Sequence, residues 1–184
     1  LPELPDQLKA RLKNDYKLTS YDARVISADL ETASFFEKAS KNRDPKTVAN
    51  WIITNLFGKL NESNLNISQS PISADSLGKL IDIVDDGTIS HRIAKDVFEE
   101  MFVSSLSASE IVDKKGLKQI SNQDEIEKMV ETIITDNPMQ KKQYLEGNEK
   151  VLGWFVGQVM KISRGKANPS VVNSIIKSKL KNVL

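Results

Sequence analysis

Apolar residues recur every three or four positions along most of this 184-residue chain, and that spacing constrains the fold more than any other feature. It places the apolar side chains along one side of an α-helix, whereas a half-buried strand needs strict alternation. No stretch alternates apolar and polar residues over the length of a strand. Proline and several of the glycines fall at the ends of the periodic segments, where helices start and stop. The sequence therefore predicts an all-α fold, a helical bundle followed by a small all-helical domain.

Capping residues locate the helices of the first part. Asp44 followed by Pro45 is typical of an N-cap with proline at the first helical position, and Ser73 and Ser90 are further N-cap candidates. Shorter helices are expected over 5–16 and 30–39. Trp51 and the periodic apolar residues of the capped helices are expected to form the core. The periodic residues are Val48, Ile52, Leu56, Leu60, Leu77, Leu80, Ile81, Val84, Ile93, Ala94, Val97, Phe98 and Met101.

A border between two domains is predicted near "SSLSAS", residues 104–109, which is small, polar and without a helical period. The predicted domains are 1–106 and 107–184. Within the second domain an amphipathic helix carries its apolar residues at i, i+3, i+4, i+7 and i+8. These residues are Ile126, Met129, Val130, Ile133 and Ile134. Asn137-Pro138 is predicted to end this helix and to cap the next, and Asn168-Pro169 is predicted to cap the last helix in the same way.

The charge of the chain is unevenly distributed. The formal net charge is +1, but residues 138–184 carry nine Lys or Arg against two Glu, so this segment sums to +7 and the rest to −6. Such a split points to an anionic partner for the basic end, with nucleic acid as the usual one and an acidic protein surface as the alternative. A merely solubilising surface is the third interpretation.

Composition argues against several classes of function. There is no cysteine and only one histidine, His91, so disulfides, thiolate metal sites, cysteine nucleophiles and most histidine chemistry are not expected. No apolar run approaches the length of a membrane span, and no charged-then-apolar leader is present, so a cytoplasmic location is expected. His91 is expected to be a solvated surface histidine. Asp82, Asp85 and Asp86 are expected to be solvated, with a metal site as the less favoured alternative.

The stretch "GQVMKISRGKANPSVVN", residues 157–173, is the strongest functional candidate. On a helix over about 149–163, one face carries Gly153, Gly157, Lys161 and Arg164, so a strip without side chains leads to two cations. That strip permits close approach of another backbone. The alternative is a close contact with a neighbouring helix of the same domain. For the adjacent Trp154, packing in the core or at a domain interface is favoured over stacking on a base.

The loop that follows adds to this candidate. Gly165 permits a positive φ at the end of the helix, and Lys166 extends the charge. Asn168-Pro169 then opens a helix whose free N–H groups are expected to point back toward the loop, an environment that anions favour. The simpler interpretation is that cations near a helix C-terminus only answer the macrodipole.

The residues at this point carry a family resemblance. The run from "IVDKKGLKQISNQDEIEKMVETIITDNPMQ" through "GWFVGQVMKISRGKANPSVVNSIIKSKL" resembles the C-terminal tail of GatB, one of the subunits of the glutamine-dependent aspartyl/glutamyl-tRNA amidotransferase, and that tail is a YqeY-type domain. The segments "LPELPDQLKARL", "FFEKA", "VANWIITNLFGKLNE" and "ADSLGKLIDIVDDGTISHRIAKDVFEEMF" resemble the helical linker domain of GatB. The family's threonine and lysine are replaced by Ser163 and Arg164, which keeps the charge and changes the donor geometry.

The resemblance implies a function in translation. The family converts mischarged Glu-tRNA(Gln) or Asp-tRNA(Asn) to the amidated forms, using ATP, Mg and glutamine, and GatB works with the companion subunits GatA and GatC. The tail is associated with holding the tRNA, so tRNA is the implied partner and no catalytic residue, metal or cofactor is expected in this chain, which is not expected to be an enzyme by itself. The residues implied in tRNA binding are Lys142, Gly153, Gly157, Lys161, Arg164, Lys166, Asn168 and Lys177. The alternative is a protein-protein docking module without direct RNA contact.

Overall fold

The computed structural model describes residues 3–104 and 106–181. The helices of the first part are α1 (Pro5–Asp15), α2 (Ser20–Ile26), α3 (Leu30–Ala39), α4 (Pro45–Trp51), α5 (Phe57–Glu62), α6 (Ala74–Asp85) and α7 (His91–Val103). The later ones are α8 (Ala108–Lys115), α9 (Gln123–Asp136), α10 (Pro138–Leu145), α11 (Lys150–Ile162) and α12 (Pro169–Lys181). Within the described ranges β pairing is limited to one isolated parallel bridge between Ile120 and Ala167. The all-α prediction is confirmed.

Three details of the helices differ from the sequence prediction. The single helix expected after Asp44 is three segments, because a π-helical stretch, Ile52–Leu56, separates α4 from α5. Ser20–Ile26 forms an additional helix, capped by Thr19, whose hydroxyl accepts a hydrogen bond from the Asp22 N–H. A short 3₁₀ turn, Ile67–Gln69, precedes α6. None of the described helices is long and apolar enough to cross a bilayer.

The N-caps of the first part lie where the sequence predicts them. Asp44 accepts from the Thr47 N–H at 2.8 Å, and the Ser73 hydroxyl accepts from the Ser76 N–H at 3.1 Å. The Ser90 hydroxyl accepts from the N–H of Ile93 at 3.2 Å. These contacts satisfy N–H groups that the first turn of a helix leaves unpaired.

The predicted cap of α10 by Asn137 is wrong. The Asn137 side chain makes no capping bond to that helix. Its Nδ2 instead donates to the Ile133 carbonyl at 2.8 Å, which satisfies an acceptor at the end of α9. The backbone at Asn137 has φ −128° and ψ 63°, and its side chain binds the last turn of α9 and not the first turn of α10.

The Asp44 cap leads to a prediction about acid stability. Its carboxylate accepts from both the hydroxyl and the N–H of Thr47, and these bonds lower the pKa of Asp44. A lowered folded-state pKa adds stability above the ordinary aspartate range, and this stability is lost as the pH falls through the folded pKa. We expect Asp44→Ala to lower the free energy of unfolding by about 1 kcal/mol at pH 7. Asp44→Asn should keep the cap and lose this acid sensitivity, which thermal melts between pH 7 and 3 measure.

Two compact units divide the chain, one of residues 1–86 and 96–111 and one of residues 87–95 and 112–184. This differs from the predicted border at 106. Residues 107–111 fall with the first unit, in which Ala108 and Ile111 are buried. Residues 87–95 fall with the second, where the N–H of Gln119 donates to the carbonyl of Thr88 at 2.7 Å. The assignment of the two parts as linker-type and YqeY-type domains stays a prediction.

In the first unit, the predicted core side chains within residues 1–86 and 96–111 are buried, except Val84, which is half-buried. Trp51 is 1% exposed, and its ring lies 5.8 Å from that of Phe98, as expected of a core residue. Asp82 does not act as a metal ligand with its neighbours, because it binds the Arg43 guanidinium through two contacts of 2.7 Å. No cluster of potential metal ligands occurs in the part of the chain that the structure describes.

In the second unit, α9, α11 and α12 enclose the core. Four of the five predicted residues of α9 are buried, and Met129 is partly buried against the same core. The buried residues of this core are Ile126, Val130, Ile133, Ile134, Val151, Phe155, Val159, Ala167, Val172, Ile175, Ile176 and Leu180. Because these side chains occupy the inner faces of α11 and α12, the opposite face of α11 is left toward solvent.

Candidate nucleic-acid interface

The outward face of α11 is bare. Gly153 and Gly157 are exposed, and a Cβ added to either would meet no atom of a neighbouring element within 4 Å among the described residues. Lys161 is exposed one turn further along the same face. The alternative interpretation, that the glycines allow close packing with a helix of the same domain, is therefore wrong. The strip is open backbone that ends at a cation.

Trp154 borders this strip. Its side chain is 37% exposed and makes an edge contact with the buried ring of Phe155, with ring centroids 5.3 Å apart. Trp154 is thus not a fully buried core residue, because it contacts the core through Phe155 and remains partly exposed, and packing at a domain interface stays a prediction. The outward face of α11 thus combines glycine backbone, a cation and an exposed indole.

The loop after α11 turns sharply. Arg164 has φ 52° and Gly165 has φ 78°, so two successive residues occupy the left-handed region. The positive φ of Gly165 was predicted, and that of Arg164 was not. The buried hydroxyl of Ser163 accepts from the Ala167 N–H at 3.2 Å and donates to the Met160 carbonyl at 3.2 Å. These bonds hold the loop in a defined conformation.

Backbone hydrogen bonds join the loop to residue 120. The Ile120 N–H donates to the Lys166 carbonyl at 2.7 Å, and the Asn168 N–H donates to the Ile120 carbonyl at 2.9 Å. Main-chain bonds of this kind involve no particular side chain, so no residue pattern signals them. The loop 163–168 is therefore fixed at both ends.

Asn168 caps α12 with its side chain, and this changes the expected anion site at the start of that helix. Its Oδ1 accepts from the N–H groups of Ser170 and Val171 at 3.0 and 3.4 Å, and its carbonyl accepts from the N–H of Val172 at 3.0 Å. Pro169 has no N–H. The first turn of α12, from Pro169 to Val172, therefore has no free donor for an external anion, and the expected anion site at this helix N-terminus is wrong. Asn168 acts as a structural cap, as Asn137 was wrongly expected to do.

The predicted cations are in different surroundings. Lys161 and Arg164 are exposed, Lys166 is half-buried, and none of the three has an ion-pair partner among the described residues. Lys142 lies 3.8 Å from the Glu146 carboxylate, which partly neutralises it. Lys177 is exposed on α12, about 12 Å along the helix axis from Pro169. The structure thus brings together Lys161, Arg164 and Lys166, and leaves Lys142 and Lys177 apart from the loop.

A segment that the sequence prediction did not connect to the loop also contacts it. The Ser90 hydroxyl, which caps α7, donates to the Gly165 carbonyl at 3.3 Å. The Arg92 side chain lies directly over Gly165, where a Cβ at residue 165 would collide with Arg92 Nη1 and lie 3.5 Å from Arg92 Cζ. Nothing in the spacing of the sequence relates these residues to a loop 75 positions away.

Comparisons with known proteins identify relatives of this chain. A family model described as "GatB domain" matches residues 34–180. The chain is 49% identical, over 98% of its length, to the GatB subunit of the aspartyl/glutamyl-tRNA(Asn/Gln) amidotransferase of Persephonella marina, covering 39% of that protein. The corresponding protein of Rhodospirillum rubrum is 49% identical over 98% of the chain and is covered to 37%. That of Pelagibacter ubique is 46% identical over 98%, also covered to 37%.

The chain spans about two fifths of the length of the curated relatives it matches. The family resemblance stated from the residues is confirmed, since the matching model covers most of the chain. From its match to the family model, this all-α chain belongs to the GatB domain family.

Proposed function

We propose that this chain binds folded tRNA through the outward face of α11 and the loop 163–168. The observation that carries the proposal is an open glycine strip next to three cations, Lys161, Arg164 and Lys166. None of the three has an ion-pair partner among the described residues. They lie on or beside a loop of fixed conformation. Cations arranged along a surface recognise the phosphate backbone, and a surface without side chains allows the sugar-phosphate chain to approach closely. The relatives are named as subunits of tRNA amidotransferases, and this supports RNA as the partner.

The larger context is part of the same proposal. The chain would belong to a GatB protein that works with GatA and GatC to amidate mischarged Glu-tRNA(Gln) or Asp-tRNA(Asn) in the cytoplasm. ATP, Mg and glutamine would be used by other parts of that enzyme. In this scheme the chain holds the tRNA and carries out no chemistry itself.

A docking function is the second candidate. Exposed apolar side chains of the second unit favour it, namely Met139 at 72%, Ile162 at 52% and Leu145 at 42% exposure. Such residues are typical of a protein contact when they form a patch. The two functions differ in their dependence on RNA and salt, because docking on an apolar surface is insensitive to added tRNA.

The salt dependence of tRNA binding tests the proposal. If the loop neutralises about three to five phosphates, the affinity should fall with the logarithm of salt concentration at a slope of roughly −2 to −5. Fluorescence anisotropy of labelled, folded tRNA at salt concentrations from about 50 to about 300 mM, titrated with the whole chain, measures this slope. Absence of binding at micromolar protein and low salt would contradict the proposal and leave docking as the better account.

A further inference from the structure

We propose that Arg92, at the start of α7, is a fourth phosphate-binding cation of the tRNA surface. This inference rests on the proposed function and extends it to a segment far away in the chain. Arg92 is exposed, and its side chain lies over Gly165. Gly165 has Arg164 and Lys166 as its two neighbours in the sequence. Both Arg92 and the loop fall within the second compact unit.

The position of Arg92 depends on the missing side chain at residue 165. A Cβ there would collide with Nη1, the far end of a flexible side chain, and approach Cδ of Arg92 to 3.7 Å, so the guanidinium would have to shift if residue 165 were not glycine. The φ of 78° at Gly165 independently favours glycine. The hydrogen bond from the Ser90 hydroxyl to the Gly165 carbonyl fixes the start of α7 against the loop. The start of α7 is thus held beside the loop, and the Arg92 side chain extends over Gly165.

Arg92 does not serve the stability of its own helix. It is the second residue of α7, and a cation in the first turn is disfavoured by the positive end of the helix macrodipole. It also has no ion-pair partner among the described residues, and neither has Arg164 or Lys166 beside Gly165. Three like charges around one glycine repel one another until an anion neutralises them. A guanidinium binds phosphate oxygens through two N–H groups in a fixed planar fork, which a lysine cannot do.

The test compares the tRNA affinity of the whole chain with that of Arg92→Ala, Arg92→Lys and a control, Arg24→Ala. Arg24 is an exposed arginine of the first unit whose guanidinium lies over the Tyr21 ring. Its replacement by alanine removes the same single charge as Arg92→Ala does. Near 0.1 M salt we expect Arg92→Ala to bind about 5- to 20-fold more weakly, with a salt slope less steep by about 0.7 to 0.9, and Arg92→Lys to be intermediate. Arg24→Ala should stay within about twofold of the unmodified chain. Circular dichroism should show that none of the three variants unfolds at a lower temperature than the unmodified chain.

Two results would overturn the inference. In the first, Arg92→Ala has the same tRNA affinity and the same salt slope as Arg24→Ala, while joint replacement of Lys161, Arg164 and Lys166 by alanine abolishes binding. Arg92 is then not a phosphate contact, and the proposed function stands. If the unmodified chain binds no tRNA, both proposals fail together.

Discussion

Replacing Lys161, Arg164 and Lys166 together by alanine is expected to weaken tRNA binding roughly 100-fold near 0.1 M salt, because three phosphate contacts are lost. The salt slope should become less steep by about 2 to 3. The fold should be little affected, since Lys161 and Arg164 are exposed, Lys166 is half-buried, and none of the three has an ion-pair partner among the described residues. Alanine carries the same Cβ as Arg164, so the strain of its φ of 52° does not change. Anisotropy titrations and thermal melts measure both effects.

A charge-matched control separates specific contacts from general attraction. Lys9, Lys13 and Lys46 are exposed lysines of the first unit, and their joint replacement by alanine removes the same charge. We expect this control to bind tRNA within about threefold of the unmodified chain. Equal loss of affinity in the two triple variants would show that only net charge matters, and would contradict the proposed contact.

Filling the glycine strip should raise stability and lower RNA affinity at the same time. Gly157→Leu places a side chain in open space on α11, and replacing a helical glycine by a good helix former adds about 0.5 to 1 kcal/mol to the free energy of unfolding. The same side chain should hold the tRNA backbone away from the strip, so we expect the affinity to fall at least about 10-fold, by about 1.4 kcal/mol or more. Denaturant unfolding and anisotropy measure the two quantities on one preparation.

Gly58 provides the matched control for this variant. It is an exposed helical glycine of the first unit, and a Cβ there would also meet none of the described atoms outside its own helix within 4 Å. Gly58→Leu should therefore raise stability by a similar amount and leave tRNA binding unchanged. If Gly157→Leu binds tRNA as well as Gly58→Leu does, the strip does not face RNA. If Gly157→Leu destabilises the chain, the strip packs against protein.

Features that depend on local chemistry could be predicted from the sequence. Asp44, Ser73 and Ser90 cap helices because a short acceptor side chain before a helix reaches its free N–H groups whatever the surroundings are. The apolar stripe of α9 predicted its side of the core of the second unit because the period of a helix is fixed. The positive φ of Gly165 followed from its position after the last helical residue.

Features that depend on tertiary contacts could not be predicted from the sequence. Asn137 and Asn168 precede proline in the same way, yet the first binds the end of one helix and the second caps the start of another, so the Asn-Pro pattern alone does not decide the partner. Residues 87–95 fall with the second unit, where main-chain contacts such as the hydrogen bond from Gln119 to Thr88 join distant segments, and composition does not reveal such contacts. Arg92 reaches Gly165 through folding alone, so a pattern confined to one segment misses it.

The fluorescence of Trp154 tests the central claim most directly, because this side chain stands on the proposed RNA surface. The chain has two tryptophans, and Trp51 is buried in the core of the first unit while Trp154 is 37% exposed beside the glycine strip. Iodide quenching of the tryptophan emission, measured with and without saturating folded tRNA, reports whether Trp154 becomes covered. The account predicts that tRNA protects the quenchable part of the emission in the unmodified chain and that Trp154→Phe shows no such protection. Unchanged quenching of Trp154 in a chain with tRNA bound would contradict it.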